Sequence, residues 1–229
     1  MKTFVIGDIH GSYKALLQCF EYSGFDYTKD CLIVLGDICD GAPEVKQCID
    51  ELLKIKNCHC IIGNHDQWAL KWATAGWKDT MWLSQGGKAT IESYAGETMP
   101  QVHIDFLKAA SFYFEYEGRM FVHGGFDPQK PISVQNKEDF VWDRKLIDHA
   151  LKVNVINPDY QLSEFKEIYI GHTPTTKLDS TTPLKLCNVW DMDTAAGWGG
   201  RLSIMDVETK QYWQSDLTSE LYPKAELRR

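Results

Sequence analysis

The sequence lacks any apolar run approaching the roughly 18 residues of a membrane span, and Met1–Ile6 enters a strand-like segment without the charged and apolar regions of a signal peptide. A cytoplasmic protein with no membrane partner is the expectation. It also lacks a basic excess or a block of like charge: 24 Lys plus Arg stand against 32 Asp plus Glu, a formal charge of −8. General affinity for nucleic acid needs a basic face, so nucleic acid is not an expected partner. Low-complexity tracts are missing, and 44% hydrophobic with 24% charged residues is a globular composition. The seven cysteines form an odd set lying mostly in apolar runs, where a thiol behaves as a small core hydrophobe. Cys58 and Cys60 fall on one side of a strand, but no second cysteine pair completes a zinc site, and core packing is expected. A Ser/His/Asp or Cys/His pattern for a covalent nucleophile is absent as well.

What is present is a repeated unit. Lys2–Ile6 reads as a buried strand running into Gly7-Asp8-Ile9-His10-Gly11, and Ser12 is placed to cap a helix with Tyr13, Leu16, Leu17 and Phe20 on one face and Gly24 at its end. Cys31–Leu35 runs into Gly36-Asp37-Ile38-Cys39-Asp40-Gly41, with Pro43 at a helix start and a stripe of Val45, Ile49, Leu52 and Leu53. Cys58–Ile62 runs into Gly63-Asn64-His65-Asp66 and a further helix. Strand, polar loop, helix, three times over, is the pattern of parallel βαβ units, whose loops line one crevice at the strand carboxyl ends. From about 68 to 112 the chain reads as mostly helical, with Trp68, Trp72, Trp77 and Trp82 as core-packing residues and a break at Gln85-Gly86-Gly87. Short strands follow at Tyr113–Tyr116, Arg119–His123, Glu167–Ile170, Leu186–Met192, Leu202–Asp206 and Gln211–Gln214. The expected fold is α/β: two packed mixed β-sheets, a β-sandwich, flanked by helices. Residues 1–229 are read as a single domain with a frayed charged tail from about 220.

Two later strands also end in histidine, at His123-Gly124-Gly125 and Gly171-His172-Thr173-Pro174. Five loops therefore offer Asp8, His10, Asp37, Asp40, Asn64, His65, Asp66, His123 and His172 to one place. A mixed oxygen and nitrogen set of this size suits two borderline cations better than one, and two such cations clamp an in-line displacement at phosphorus. His59, His103 and His149 lack this context and are read as structural or surface residues.

These five motifs, in this order, resemble those of the calcineurin-like metallophosphoesterases, and most nearly the bacterial and phage branch of the phosphoprotein phosphatase (PPP) family of serine/threonine phosphatases. The resemblance runs from Lys2 to about Gln214. It implies a metal-dependent phosphatase in which Asp8 and His10 bind a first metal, Asp37 bridges, and Asn64, His123 and His172 complete a second. The metals implied are two divalent ions, manganese first, with iron or zinc as the other borderline choices. The nucleophile implied is a metal-bridging hydroxide, which accounts for the missing covalent nucleophile. His65 matches the family's general acid and Asp40 the carboxylate that orients it; a carboxylate fixes the imidazole tautomer and raises its basicity. Asp66 is assigned no direct role.

Two departures refine the resemblance. Gly171-His172-Thr173-Pro174 lacks the second histidine of the broader superfamily, as the PPP branch does. More notably, Gly41 stands where most PPP phosphatases carry a phosphate-gripping arginine. A second family arginine is matched by Arg144 in Phe140-Val141-Trp142-Asp143-Arg144, the expected substrate-binding residue together with Asn64; the competing reading of Arg144 is an ion pair with Asp143 or Asp148. The expected reaction is hydrolysis of phosphomonoesters, with phosphoserine or phosphothreonine in a phosphorylated protein, or a small phosphoester, as substrate. The alternatives are a symmetrical dinucleoside polyphosphate (diadenosine tetraphosphate) hydrolase, for which Trp72, Trp77 and Trp82 could stack a base, and a non-catalytic pseudophosphatase binding module.

Overall fold

The computed structural model describes residues 1–223. Its strands are β1 (Thr3–Ile6), β2 (Cys31–Val34), β3 (Asn57–Cys60), β4 (Tyr113–Tyr116) and β5 (Arg119–Val122), then β6 (Glu167–Ile170), β7 (Leu184–Leu186), β8 (Val189–Asp191), β9 (Ser203–Asp206) and β10 (Tyr212–Gln214). Its helices are α1 (Tyr13–Ser23), α2 (Val45–Leu52), α3 (Asn64–Ala75), α4 (Thr80–Trp82), α5 (Lys88–Ser93) and α6 (Gln101–Lys108), then α7 (Lys137–Trp142), α8 (Lys145–Asn154) and α9 (Thr218–Leu221).

The strands form two mixed sheets, in the orders β10-β9-β1-β2-β3 and β4-β5-β6-β8-β7. In the first, β1, β2 and β3 run parallel and β9 and β10 add antiparallel; in the second, β5, β6 and β8 run parallel between antiparallel β4 and β7. Alternation along each strand divides the core. Val5, Ile33, Phe121 and Tyr169 point inward and pack sheet against sheet, with the Phe121 and Tyr169 rings stacked at 4.8 Å. Their neighbours point outward. Phe4, Ile6, Leu32 and Val34 meet Leu16 and Phe20 of α1 and Ile49 and Leu52 of α2, while Met120, Val122, Ile168 and Ile170 meet Phe140 of α7 and Ile147 of α8. The strands inside the two sheets, β1, β2, β5, β6 and β9, are thus buried on both faces, which is why their runs read as continuously apolar, while β3, β4 and β10 at the sheet edges are only partly covered.

Several local expectations need correction. Leu186–Met192 is two strands: Cys187 adopts φ 54° and turns the chain so that β7 pairs antiparallel with β8. Ser12 does not cap α1 with its side chain, whose Oγ turns back to the His10 carbonyl. Pro43 lies two residues before α2, whose N-cap is Glu44. Between 68 and 112 the chain continues α3 and runs through α4, a kink within Leu83–Gly87 at Gln85 and Gly86, α5 and α6. At the far end, α9 precedes Tyr222, which is buried, accepts a hydrogen bond from the Lys14 backbone N–H and donates one to Glu44. The rest of the expected tail, 224–229, lies outside the described residues. Among the described residues no helix is long and apolar enough to cross a membrane.

Candidate metal centre and acid–base pair

The loops that follow β1, β2, β3, β5 and β6 bring their polar side chains to one end of the two sheets. Close approach of these loops depends on glycine at two positions in particular. A Cβ on Gly63 would lie 2.1 Å from Asp37 Oδ1, and one on Gly171 would lie 2.1 Å from Asp8 Oδ1. Backbone hydrogen bonds tie the loops together: Ile9 and His10 N–H donate to the Asp37 carbonyl, and Gly11 N–H donates to Ile38. The N-terminus of α3 presents the His65 N–H to Asp37 Oδ1 at 2.9 Å, where a helix start favours a carboxylate.

Two groups of side chains have ligand atoms within 4.8 Å of one another: Asp8, His10 and Asp37, and Asp37, His123 and His172. Asp37 belongs to both. All of these residues are buried. The His10 and His123 Nδ1 atoms donate to the carbonyls of Cys39 (3.0 Å) and Leu35 (2.8 Å), which leaves each Nε2 lone pair facing inward. His123 Nε2 then faces Asn64 Oδ1 at 3.1 Å and Asp37 Oδ1 at 3.4 Å, and His172 Nε2 is buried without a hydrogen-bond partner. Acceptors facing one another in a buried pocket are the arrangement that a cation relieves.

The electrostatics agree. Burial, with Asp193 and Asp37 nearby, pushes the Asp8 carboxyl well above its ordinary range, although the His172 N–H opposes the shift. Burial also pushes Asp37 up, but His123, His65 and His10 outweigh it and hold this carboxylate well below its ordinary value. Burial and the neighbouring His123 and Arg144 push His172 well down, toward the neutral form that ligates. Among the described residues no lysine or arginine pairs with Asp8, Asp37 or Asp40. The donor set, two carboxylates, three imidazoles and an amide oxygen, fits two divalent cations sharing Asp37.

Beside these groups His65 Nδ1 contacts Asp40 Oδ2 at 2.6 Å, with both residues fully enclosed, and the His65 ring stands 5.0 Å from that of His10. Arg144 is exposed at the same rim and donates to the His172 carbonyl at 3.4 Å. It forms no ion pair with Asp143 or Asp148 among the described residues, so that reading falls. At Gly41, φ is 89° and the backbone of the Leu83–Gly87 turn closes over the residue: Gly41 N–H donates to the Gly86 carbonyl at 3.3 Å, and a Cβ on Gly86 would lie 2.5 Å from Gly41 N. A Cβ on Gly41 itself would lie 3.1 Å from His10 Cβ, at a φ that residues with side chains rarely adopt.

The roles of some site-building residues were not read from the sequence. Asp66 accepts from the Ile38 and Cys39 N–H groups on one oxygen (2.9 and 3.0 Å) and from Gly63 N–H on the other (3.1 Å), so it stitches the β2 and β3 loops together. Its place three residues after Gly63 is a capping-box position, a signal that could have found it. The tryptophans beside the crevice are Trp68 and Trp142, not Trp72 and Trp82, which are buried in the core, nor Trp77, which stacks against Trp82. Trp68 packs edge-on to His65 at 4.9 Å and to Trp142 at 5.2 Å, and Trp142 packs edge-on to His172 at 5.9 Å. His103, read as structural, is buried between Tyr94 and Asp50.

The calcineurin-like phosphoesterase family model matches residues 1–193. Serine/threonine-protein phosphatase 1 of Salmonella typhimurium is 27% identical over 210 residues, 90% of this chain and 91% of that one. The symmetrical bis(5'-nucleosyl)-tetraphosphatase of Buchnera aphidicola is 29% identical over 186 residues, 78% of this chain but 61% of the relative. Among solved structures, a chain assigned as a diadenosine tetraphosphatase superposes with a TM-score of 0.70 at 17% identity, covering 93% of this chain and 92% of that one, a likeness of fold. Two ligand groups joined at Asp37, in a fold and sequence matched over most of their length, lead to one conclusion: the chain belongs to the calcineurin-like phosphoesterase family, hydrolases built around a dinuclear divalent metal centre.

Proposed function

We propose that this phosphatase hydrolyses phosphomonoesters, with phosphoserine and phosphothreonine in proteins as its main substrates, and that His65 is its general acid. The observation that carries the reading is the His65–Asp40 pair standing against two ligand groups that share Asp37. Asp8, His10 and Asp37 would hold one cation and Asp37, Asn64, His123 and His172 the other, with manganese the expected metal. When bound, the two cations supply Lewis-acid activation of water and neutralise phosphate charge. The protein's own residues do the rest. Asp40 accepts a hydrogen bond from the His65 Nδ1–H, which fixes the ring so that Nε2 carries the proton that the departing alkoxide needs. Arg144 meets the phosphate from the exposed rim, and the amide of Asn64 orients what lies beneath it. Trp68 and Trp142 wall the crevice beside His65 and His172 and exclude water from one side.

That same aromatic wall supports a second reading, hydrolysis of dinucleoside polyphosphates, because an indole offers a base a stacking face. Parallel turnover of a phosphoserine peptide, an aryl phosphate and diadenosine tetraphosphate by metal-loaded wild type and His65→Asn separates the two. Peptide preference, with a large loss of kcat and unchanged metal content in His65→Asn, is expected. A higher kcat/KM on the dinucleotide would overturn the substrate assignment, and undiminished turnover by His65→Asn would overturn the role of His65. A binding module without catalysis would give no metal-dependent turnover in wild type.

A further inference from the structure

The segment between α3 and α6 is more than packing. Asp40 is completely buried with φ 70°, and its carboxylate accepts two hydrogen bonds besides that of His65. Trp82 Nε1 donates to Oδ2 at 2.8 Å, the oxygen that His65 also uses, and Thr90 Oγ1 donates to Oδ1 at 2.5 Å. The Thr90 hydroxyl in turn accepts the Asp40 backbone N–H at 2.9 Å, so it binds this residue at two points. Both donors are fully buried and both come from one short stretch, the end of α4 and the first turn of α5. The break between them shapes the stretch for this purpose. Gln85 and Gly86 leave helical geometry, Gly86 closes onto Gly41, and Gly87 passes so near the Trp82 indole that a Cβ there would lie 2.4 Å from its ring.

A carboxylate held by one imidazole alone can rotate about its Cβ–Cγ bond, and the imidazole can follow it. A donor on each oxygen fixes the carboxylate plane, and through it the plane of His65 and the direction of Nε2. Neither donor is charged, so Asp40 stays the sole formal charge facing His65 within this group. We propose that Trp82 and Thr90 are positioning residues that act through Asp40 to aim the His65 proton. The inference rests on the reading of His65 as general acid and extends the machinery to a segment outside the five loops that carry the ligand groups and the His65–Asp40 pair.

The test combines leaving-group dependence with a double-mutant cycle. Trp82→Phe, which keeps an aromatic ring of smaller size and removes the N–H, and Thr90→Val are made in wild type and in His65→Asn, and the metal-loaded proteins are assayed on a phosphoserine peptide and on 4-nitrophenyl phosphate. Loss of an outer hydrogen-bond partner typically costs roughly 10- to 100-fold. A fall of about tenfold in kcat is expected on the peptide, whose alkoxide needs the proton, with KM unchanged. The fall should be smaller on the aryl ester, and neither substitution should lower the rate further in His65→Asn. Thr90→Ser should restore most of what Thr90→Val loses. In the metal-free protein, the His65 Nδ1–H resonance, assigned by its loss in His65→Asn, should exchange with water faster in Thr90→Val than in Thr90→Ser. Equal losses on both substrates, or losses that multiply with that of His65→Asn, would overturn the positioning role while leaving His65 as the acid. If His65→Asn alone costs nothing on the peptide, the acid reading falls and this inference with it. Should Trp82→Phe fail to fold, the Thr90 pair decides alone.

Discussion

Gly63→Ala tests whether the closeness of the β2 and β3 loops is what builds the metal centre. Gly63 has φ −94° and ψ 168°, an extended conformation open to any residue, so the substitution brings no backbone strain. What it brings is a methyl group 2.1 Å from Asp37 Oδ1, 2.3 Å from Asp37 N and 2.9 Å from Cγ. Ordinary contact begins near 3.4 Å, so the loops must part by about 1.3 Å. Two of the three atoms belong to the carboxylate shared by both ligand groups, and the third is backbone. A shift of about 1 Å at reacting groups can cost about 100-fold, and metal affinity should fall alongside it. Overpacking costs about 1–3 kcal/mol, offset by roughly 0.4–1 kcal/mol from the stiffer unfolded chain, so global stability changes less than function does. Gly76→Ala is the control: φ is 66° and no atom lies within 4 Å, so it should cost about 1 kcal/mol in stability and nothing in metal content. The assays are metal equivalents per chain after dialysis against manganese, initial rates, and thermal melting. Two retained equivalents and a rate within twofold of wild type in Gly63→Ala would refute the reasoning.

Two further predictions concern charge. Arg144→Ala should raise KM roughly tenfold with kcat nearly unchanged, the effect of losing one charge-assisted contact to phosphate; an unchanged KM would return Arg144 to the surface. Away from the site, Glu167 accepts hydrogen bonds from Arg119 (2.8 Å), Lys210 (2.5 Å) and Tyr169 (3.1 Å). Burial pushes its carboxyl up, but Lys210 and Arg119 outweigh this and set it below its ordinary value of 4.5; burial meanwhile pulls Lys210 itself down. A depressed carboxyl stabilises the fold above its unfolded pKa and ceases to as pH falls through its folded one. Glu167→Gln should therefore lose stability at pH 7, and denaturant melts should bring it toward wild type as pH drops below about 4.5. A gap that does not narrow in acid would count against the network.

The three strand–loop–helix units and the convergence of their loops were legible because apolar runs, glycines and polar residues lie within a few positions of one another. Pairings over long separations were not. Nothing near Thr90 announces Asp40, 50 residues before it, and a tryptophan reads the same whether it fills the core, as Trp72 does, or walls a crevice, as Trp142 does. The turn at Cys187 was hidden for a different reason: a residue with a Cβ at φ 54° is uncommon enough that an unbroken strand was the better inference. Arg144 could be matched by motif, but its freedom from Asp143 and Asp148 needed coordinates.

Four of the site residues, His10 (φ 48°), Asp37 (48°), Asp40 (70°) and His172 (65°), hold a backbone shape that side chains disfavour by about 1–2 kcal/mol each. The backbone bonds that hold His10 in place come from the loop after β2: its N–H reaches the Asp37 carbonyl, and its own carbonyl receives the Ala42 N–H. The crevice is therefore expected to form after the strands are paired, so that in a refolding experiment metal binding should recover later than far-UV circular dichroism; simultaneous recovery would refute this order.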